Sequence, residues 1–233
     1  MEKRLESLRS RESRVIVGIE AGGSGGRLGA VLVEVSGSGD DTVLELLSAR
    51  SAVLPAELQS ALASLGGDLG AEGLAQVNFL ILHQINSIFF GIVESAEIDP
   101  GEVDLIGLKG IEAGGREIPD DPGALSELTG CIVASCFRIG PHRGIGHWVP
   151  VKESILRGMV AAMVERYDLD EIAREAVAVA LLANESVYHE AIDGACPRGS
   201  IPPKSAVATR TVRRVGDLPP DAALHGEFFF PAV

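Results

Sequence analysis

Two apolar strands joined by a glycine-rich turn constrain the fold of this chain more than any other feature. The segment VIVGIEAGGSGGRLGAVLVEV predicts strands at Val15–Ile19 and Leu28–Val35. The turn SGSGDD then leads into a third apolar run at Thr42–Ser48. Because the connections are short, these three segments predict an antiparallel meander at the start of the fold.

The following segments alternate between helical and extended patterns. Apolar residues at helical spacing predict helices, and short apolar runs bounded by turn residues predict buried strands. The predicted helices are Pro55–Ser64, Gly70–Ala96, Asp121–Gly130, Val151–Tyr167 and Asp170–His189, and the predicted strands are Val103–Gly110 and Cys131–Phe137. The last helix is expected to be capped by Asp168 or Asp170. This order, with three strands before the first helix, predicts an α/β fold with a mixed sheet and flanking helices.

The domain organisation follows from shifts in composition along the chain. Residues 1–14 are mixed in charge and lack an apolar body, which predicts a flexible, solvated start. Residues 15–150 are expected to form one lobe. Residues 151–233 are expected to form a reduced helical lobe and a tail, packed on the same domain, and the path of the segment from residue 195 onward stays open.

The charge balance restricts the partners of the protein. The chain has 33 acidic and 20 basic residues and a formal net charge of −13, so its field repels nucleic-acid phosphates. We expect neither a nucleic-acid partner nor a membrane, because no apolar run is clean enough to span a bilayer. Three cysteines are too few and too uneven for a disulfide framework, which favours a reducing cytoplasm.

Four collinear stretches carry a resemblance to a known family. They are VGIEAGGSGGRLGAVLVEVSG from residue 17, VDLIGLKGIEAGG from residue 103, DPGALSELTGCIVASCFR from residue 121 and REAVAVALLA from residue 174. Together they resemble the anhydro-N-acetylmuramic acid kinases, bacterial sugar kinases of the actin-like superfold. The resemblance implies that the sheet is one lobe of that superfold. It also implies that Arg138 and Glu175 match positions in the region where the family holds its sugar.

The departures from the family pattern are concentrated in polar positions. In the glycine loop Gly23 and Gly26 replace a threonine and an aspartate, and Glu20 replaces a methionine. Lys109 and Gly115 replace two histidines. The central block that supplies the family's catalytic aspartate has no counterpart. Because phosphoryl transfer needs groups that hold phosphates and accept a proton, we expect that ATP phosphotransfer is lost and that no cofactor is used.

Three regions hold the candidate site residues. Glu20, Ser24 and Arg27 flank the glycine loop, whose alternative interpretations are a plain hairpin or, less favoured, a nucleotide loop. Glu175 near the start of the last helix matches the family's glutamate, although the helix dipole alone would favour a carboxylate there.

The third region is the loop Phe137–Pro150, whose polar residues are Arg138, His142, Arg143, His147 and Trp148. Its histidine spacing does not fit a metal site, so no metal is expected. The predicted catalytic residues are Glu175, His147 and Glu20, and the predicted ligand-binding residues are Ser24, Arg27, Arg138, His142 and Trp148. A surface loop with locally bonded histidines is the alternative.

Three functions stay open. The first is a kinase relative that binds a small molecule and performs cofactor-free acid/base chemistry, such as isomerisation, elimination or cyclisation. The second is a sugar kinase of cell-wall recycling, and the third is a noncatalytic pseudokinase that acts through a partner. A homodimer is expected in each case, because a missing central block would expose apolar surface.

Overall fold

The computed structural model describes residues 2–21, 26–64, 71–113, 116–117, 122–135 and 153–188. The strands are β1 (Ser13–Ala21), β2 (Arg27–Ser36), β3 (Val43–Val53), β4 (Leu105–Lys109), β5 (Glu112–Ala113), β6 (Arg116–Glu117) and β7 (Ile132–Ser135). The helices are α1 (Glu2–Arg9), α2 (Ala56–Ser64), α3 (Ala71–Ser95), α4 (Pro122–Thr129), α5 (Glu153–Tyr167) and α6 (Glu171–Tyr188).

A five-stranded mixed sheet in the order β3-β2-β1-β4-β7 forms the centre of the fold. β2 is antiparallel to both β1 and β3, whereas β4 is parallel to β1 and β7 is parallel to β4. The predicted meander and the two later strands are therefore confirmed, and so is the α/β class with a mixed sheet. The short strands β5 and β6 form a separate antiparallel pair.

Alternation along the strands divides the core into two layers, because successive side chains point to opposite faces of a sheet. On one face Val17 and Ile19 of β1 pack in a cluster with Ile85 and Phe89 of α3. On the other face Ile16 belongs to a second cluster, which contains the buried alanines of α6. Both faces are covered by helices, which explains why β1 and β2 are apolar almost without interruption.

Glycines in the sheet let α6 approach unusually closely. A Cβ atom added at Gly18 of β1 would lie 2.8 Å from the Cβ of Ala180, and one at Gly107 of β4 would lie 2.8 Å from the Cβ of Ala183. The two glycines are register partners in adjacent strands. Helix α6 therefore packs on sheet positions that carry no side chain, and its alanines make the contact. This fit fixes the position of every residue along α6 relative to the ends of the strands.

Residues 2–9 form helix α1, which the sequence analysis did not predict. Leu8 of this helix is buried against the α6 side of the core. Arg14 is completely buried; its Nε donates to Oδ1 of Asn184 over 2.8 Å, and its guanidinium lies 5.0 Å from the ring centroid of Tyr188. A buried arginine needs such partners. The lobe boundary predicted at residue 150 stays a prediction.

The structure decides between the two residues that were predicted to cap α6. Oδ1 of Asp170 accepts a hydrogen bond from the backbone N–H of Ala173 over 2.8 Å, so Asp170, and not Asp168, caps α6.

Residues Glu72–Ser95 have a mean hydropathy of 1.3, and by length and composition alone they would be long and apolar enough to cross a membrane. One face of α3 packs on the sheet, and 39% of this span is buried. A cytoplasmic location stays a prediction.

Candidate functional site

A carboxylate and an ammonium group lie side by side where two parallel strands end. Glu20 of β1 and Lys109 of β4 are register partners, and alternation directs both side chains toward α6. The Nζ atom of Lys109 lies 3.1 Å from Oε2 and 3.2 Å from Oε1 of Glu20. The Glu20 side chain is only 5% exposed, whereas that of Lys109 is 35% exposed. A nearly buried carboxylate thus has its counter-ion at the edge of solvent.

Helix α6 adds a second carboxylate to this pair. Oε2 of Glu175 lies 3.4 Å from Nζ of Lys109, and Oε1 of Glu175 lies 3.6 Å from a guanidinium nitrogen of Arg174. The Glu175 side chain is 43% exposed, so it is the more accessible of the two carboxylates. Lys109 consequently lies between a buried and an accessible carboxylate. We call Glu20, Lys109 and Glu175 the charged triad.

The triad holds Lys109 in its protonated form. Burial alone would lower the pKa of the Lys109 ammonium group, but the charges and hydrogen bonds of Glu20 and Glu175 outweigh this effect and raise its pKa above the ordinary value of 10.5. At neutral pH Lys109 is therefore a fixed cation. It cannot act as a general base or as an amine nucleophile, which both require the neutral form.

A cavity of about 630 Å³ opens beside the triad, between α5 and α6. Glu175 is one of the residues that line it, and its carboxylate also contacts Lys109. Five of its nine lining residues are apolar, and the other four are two acidic and two basic residues. The lining residues are Leu156, Arg157, Val160, Ala161, Val164, Glu165, Arg174, Glu175 and Ala178.

The position of Glu175 follows from the close packing of α6. Asp170 caps the helix, and Ile172 lies over Gly29 of β2, where an added Cβ would be 2.8 Å from Cγ1 of Ile172. These contacts place the first turns of α6 over the ends of β1 and β4. A side chain from the second turn can then reach Lys109. The glutamate thus does more than complement the helix dipole.

Arg27 lies in a different set of contacts from those expected. Its guanidinium group donates to Oδ2 of Asp170 over 2.9 Å, and the hydroxyl group of Ser51 donates to the same oxygen over 3.1 Å. Both side chains of the Arg27–Asp170 pair are well exposed. Arg27 therefore links the start of β2 to the cap of α6.

The structure brings together two of the predicted catalytic residues, Glu20 and Glu175. It joins them through Lys109, which was predicted only as the replacement of a family histidine. No local signal pointed to it, because only the parallel pairing of β1 with β4 places Lys109 beside Glu20. The remaining predicted residues, Ser24, Arg138, His142, His147 and Trp148, lie outside the described residues.

The donor set near the triad fits a charged binding site better than a metal centre. Within the ranges that the structure describes, no group of three or more His, Cys, Asp and Glu side chains is placed to hold a metal ion. The ammonium group of Lys109 already lies between the two carboxylates. What this arrangement offers is an accessible carboxylate that pairs with a half-buried ammonium group and belongs to the lining of a cavity with both apolar and charged residues.

The fold and the site define a class: an α/β protein with a mixed five-stranded sheet and a charged site at the carboxyl ends of parallel strands, where such sheets place ligands. The particular similarity is to an anhydro-N-acetylmuramic acid kinase from Caldanaerobacter subterraneus subsp. tengcongensis, at 27% identity over 164 residues.

That similarity covers 64% of this chain and 41% of the relative, so the chain spans about two fifths of the relative's length. No family model matches the sequence. The similarity and the sheet topology together support a distant sugar-kinase-like relationship and a kinase-like fold.

Proposed function

We propose that this protein binds a small molecule in the cavity between α5 and α6 and performs acid/base chemistry on it with Glu175, without ATP phosphotransfer. The charged triad carries the proposal. A carboxylate that faces a cavity and is held by a fixed cation is suited to accept or return a proton at a bound ligand. Isomerisation, elimination and cyclisation all need such a group.

The ion pairs of this region argue against a polyphosphate ligand. Phosphates are held by cations and backbone amides that are available to them. Here Lys109 pairs with two carboxylates, Arg27 with Asp170, and Arg174 with Glu171 and Glu175. In addition, Glu20 carries a negative charge one residue before the end of β1, and the glycine loop follows β1 directly. Binding of a triphosphate would require these pairs to break.

The cavity lining indicates the chemical class of the ligand. Five of the nine lining residues are apolar, and the charged ones balance at two of each sign. Such a site matches an uncharged or zwitterionic ring compound with an apolar face. It fits a strongly anionic molecule poorly.

Sugar phosphorylation is the second candidate, and the similarity to the anhydro-N-acetylmuramic acid kinase favours it. In that case the glycine loop would hold ATP despite Glu20, and Lys109 would have to exchange its carboxylate partners for phosphate. A noncatalytic role as a pseudokinase partner is the third possibility. It would leave Glu175 without a chemical function.

One set of binding measurements separates these functions. The melting temperature of the full chain is measured with magnesium and millimolar ATP, with and without anhydro-N-acetylmuramic acid, and with a panel of uncharged and zwitterionic cyclic metabolites. A ligand that binds the native state raises the melting temperature by mass action.

We expect stabilisation by members of the panel and none by ATP. Stabilisation by ATP together with transfer of phosphate to the sugar would establish the kinase and overturn the proposal. No stabilisation by any compound in the panel would favour the partner protein. For a compound that binds, loss of its turnover in the Glu175→Gln variant identifies the acid/base group.

A further inference from the structure

Charge is distributed unevenly along the cavity between α5 and α6. The two helices are joined by only three residues, 168–170. So short a connection makes a helical hairpin, in which the last turn of α5 lies beside the first turns of α6. Glu165 of α5 is therefore at the same end of the cavity as Arg174 and Glu175 of α6. We call this end, defined by Glu165, Arg174 and Glu175, the hairpin end.

The hairpin end carries a surplus of negative charge. Residues 165–175 contain five acidic and two basic side chains. The ion pairs of this segment bring in two bases, Arg27 and Lys109, and one more acid, Glu20. Six acidic and four basic groups thus leave a net charge of −2. A cationic group of a ligand is attracted to this end of the cavity.

The lining away from the hairpin end has a single charged residue in the described part of the chain, Arg157. The sequence of α5 has no other charged residue between Glu153 and Glu165, and that of α6 has none between Glu175 and Glu185. Arg157 precedes Glu165 by eight residues, which is about 12 Å along a helix axis. The cavity is consequently dipolar, with a cation at one end and excess carboxylates at the other.

Arg174, the second basic residue of the lining, does not offset this asymmetry. One of its guanidinium nitrogens lies 3.8 Å from a carboxylate oxygen of Glu171 and 3.6 Å from one of Glu175. A ligand anion would have to compete with both carboxylates and would meet their repulsion, which makes like charges poor neighbours at a binding site. The anionic group of a bound molecule is therefore better placed at Arg157.

The lining between the two charged ends is apolar. It consists of Val160, Ala161 and Val164 on α5 and Ala178 on α6. These side chains offer no hydrogen bonds, so the part of a ligand that covers them gains most by being apolar as well. The cavity therefore calls for charged groups at both ends of a molecule and for hydrocarbon between them.

We propose that the ligand of this cavity is a zwitterion whose ammonium group and carboxylate are separated by an apolar ring or chain, with the ammonium group at Glu165 and the carboxylate at Arg157. This inference rests on the proposed function, because it concerns the same cavity. It makes Arg157 and Glu165 the residues that determine specificity. It also places the amino end of the ligand, and not its carboxylate end, near Glu175.

Matched ring compounds test the two ends separately. The zwitterion is a cyclohexane with an aminomethyl group and a carboxylate on opposite ring carbons; cyclohexanecarboxylate keeps only the anion, and cyclohexylmethylamine keeps only the cation. Isothermal titration calorimetry of the full chain gives the dissociation constants. We expect the zwitterion to bind at least about ten-fold more tightly than either singly charged compound, as one hydrogen bond to a charged group contributes.

The spacing of the charges is tested with cyclohexylglycine. This compound has the same ring, but its ammonium group and carboxylate are attached to one carbon, so it reaches only one end of the cavity. We expect it to bind at least about ten-fold more weakly than the zwitterion with opposed groups, because one charged contact is lost. Equal affinity for the two zwitterions would contradict the proposed separation.

Variants assign each charge to its end. Arg157 and Glu165 are both exposed, so their replacement leaves the core intact. We expect Arg157→Gln to weaken binding of the zwitterion and of cyclohexanecarboxylate about ten-fold, with cyclohexylmethylamine unaffected. Glu165→Gln should weaken the zwitterion and cyclohexylmethylamine and spare cyclohexanecarboxylate. The opposite pattern, in which Arg157→Gln affects only the amine, would overturn the orientation.

The matched control is Arg166→Gln on the same helix. Arg166 is exposed, lies 5.3 Å from the ring centroid of Tyr167 and is outside the cavity lining. We expect its loss to leave all the dissociation constants unchanged. If Arg166→Gln weakened the zwitterion as much as Arg157→Gln, the effect would come from the overall charge of the protein and the inference would be wrong.

Further outcomes separate this inference from the proposed function. If the uncharged cyclohexanecarboxamide binds as tightly as the zwitterion, the inference fails, while the proposed function is still decided by turnover in Glu175→Gln. No binding of any ring compound up to millimolar concentration also overturns the inference. Binding of ATP with transfer of phosphate to a sugar overturns both.

Discussion

Lys109 and Glu20 meet at the ends of two parallel strands, with the ammonium nitrogen 3.1 Å and 3.2 Å from the two carboxylate oxygens. The pair lies 89 residues apart in the sequence, yet register places the two residues directly side by side. Because Glu20 is nearly buried and Lys109 is not, the lysine is what makes the buried charge tolerable. Four predictions follow from this pair and from the helix that lies over it.

Replacement of Lys109 by an uncharged residue should lower the free energy of unfolding, because Glu20 is nearly buried. We expect Lys109→Met to lower the free energy of unfolding by about 3 kcal/mol, because it leaves Glu20 charged and without its main partner. Glu20→Gln should cost less, about 1 kcal/mol, since the remaining lysine is close to solvent and still contacts Glu175. In the double variant the effects should not add, which a double-mutant cycle by urea denaturation measures. Additive losses would mean that the pair has no energetic coupling.

The pH dependence of stability reports the same pair. The pKa of Lys109 is raised in the folded protein, so folding favours the protonated lysine. The resulting stabilisation is complete below the unfolded value of 10.5 and is lost as pH rises above it through the folded pKa.

The difference in unfolding free energy between the wild type and the double variant Glu20→Gln/Lys109→Met should therefore be flat near neutral pH and shrink in strong alkali. Denaturation at a series of pH values measures it. A difference that grows with alkaline pH would contradict the raised pKa.

Glu175 should matter for binding and chemistry more than for stability. Its side chain is 43% exposed, so Glu175→Gln is expected to change the free energy of unfolding by less than about 1 kcal/mol. For a compound that binds the cavity and is turned over, kcat should fall by about a hundred-fold, the usual contribution of a positioned general base.

The matched control for Glu175→Gln is Glu171→Gln on the same helix, whose side chain is 89% exposed. It should leave both stability and turnover unchanged. Equal losses of turnover in the two variants would point to a general electrostatic effect and remove the specific role of Glu175.

Gly18 and Gly107, the two sheet glycines that pack against α6, should tolerate no larger residue. Gly107→Ala would place a Cβ 2.7 Å from the carbonyl oxygen of Val179, and the strain is expected to cost about 3 kcal/mol. Gly158→Ala in the helix α5 is the control, because an added Cβ there meets no atom within 4 Å.

The control should be neutral or raise stability by about 1 kcal/mol, since alanine favours a helix. Thermal denaturation measures both changes. A harmless Gly107→Ala would mean that α6 does not rest as closely on β4 as the structure places it.

The local pattern of the chain predicted its secondary structure well. Strands of apolar residues around a glycine turn, and helices with apolar residues at helical spacing, depend on interactions between near neighbours. For this reason the hairpin of β1 and β2 and the helices α3 and α6 were found close to their observed bounds. Helix α1 was missed because its only strong apolar anchor, Leu8, becomes buried through contact with the distant α6.

The candidate site could be predicted from the sequence only in part. Glu20 was singled out as a charge beside a glycine turn, and Glu175 through the family resemblance, but neither observation connects the two. Their connection is Lys109, 89 residues from one and 66 residues from the other. Strand register and the position of α6 bring the three together, and neither is encoded in any local segment.

The sequence by itself determined the alternation that gives each strand and helix its buried face, the glycines that make room for a helix, and the charges that the chain has to accommodate. Tertiary structure alone decided which charges meet. Parallel pairing of β1 with β4 aligned Glu20 with Lys109, and the alanine surface of α6, lying on Gly18 and Gly107, carried Glu175 to the same point. The physical reason is that a nearly buried charge is stable only beside its counter-ion, and only the folded chain brings residues so distant in sequence within 4 Å.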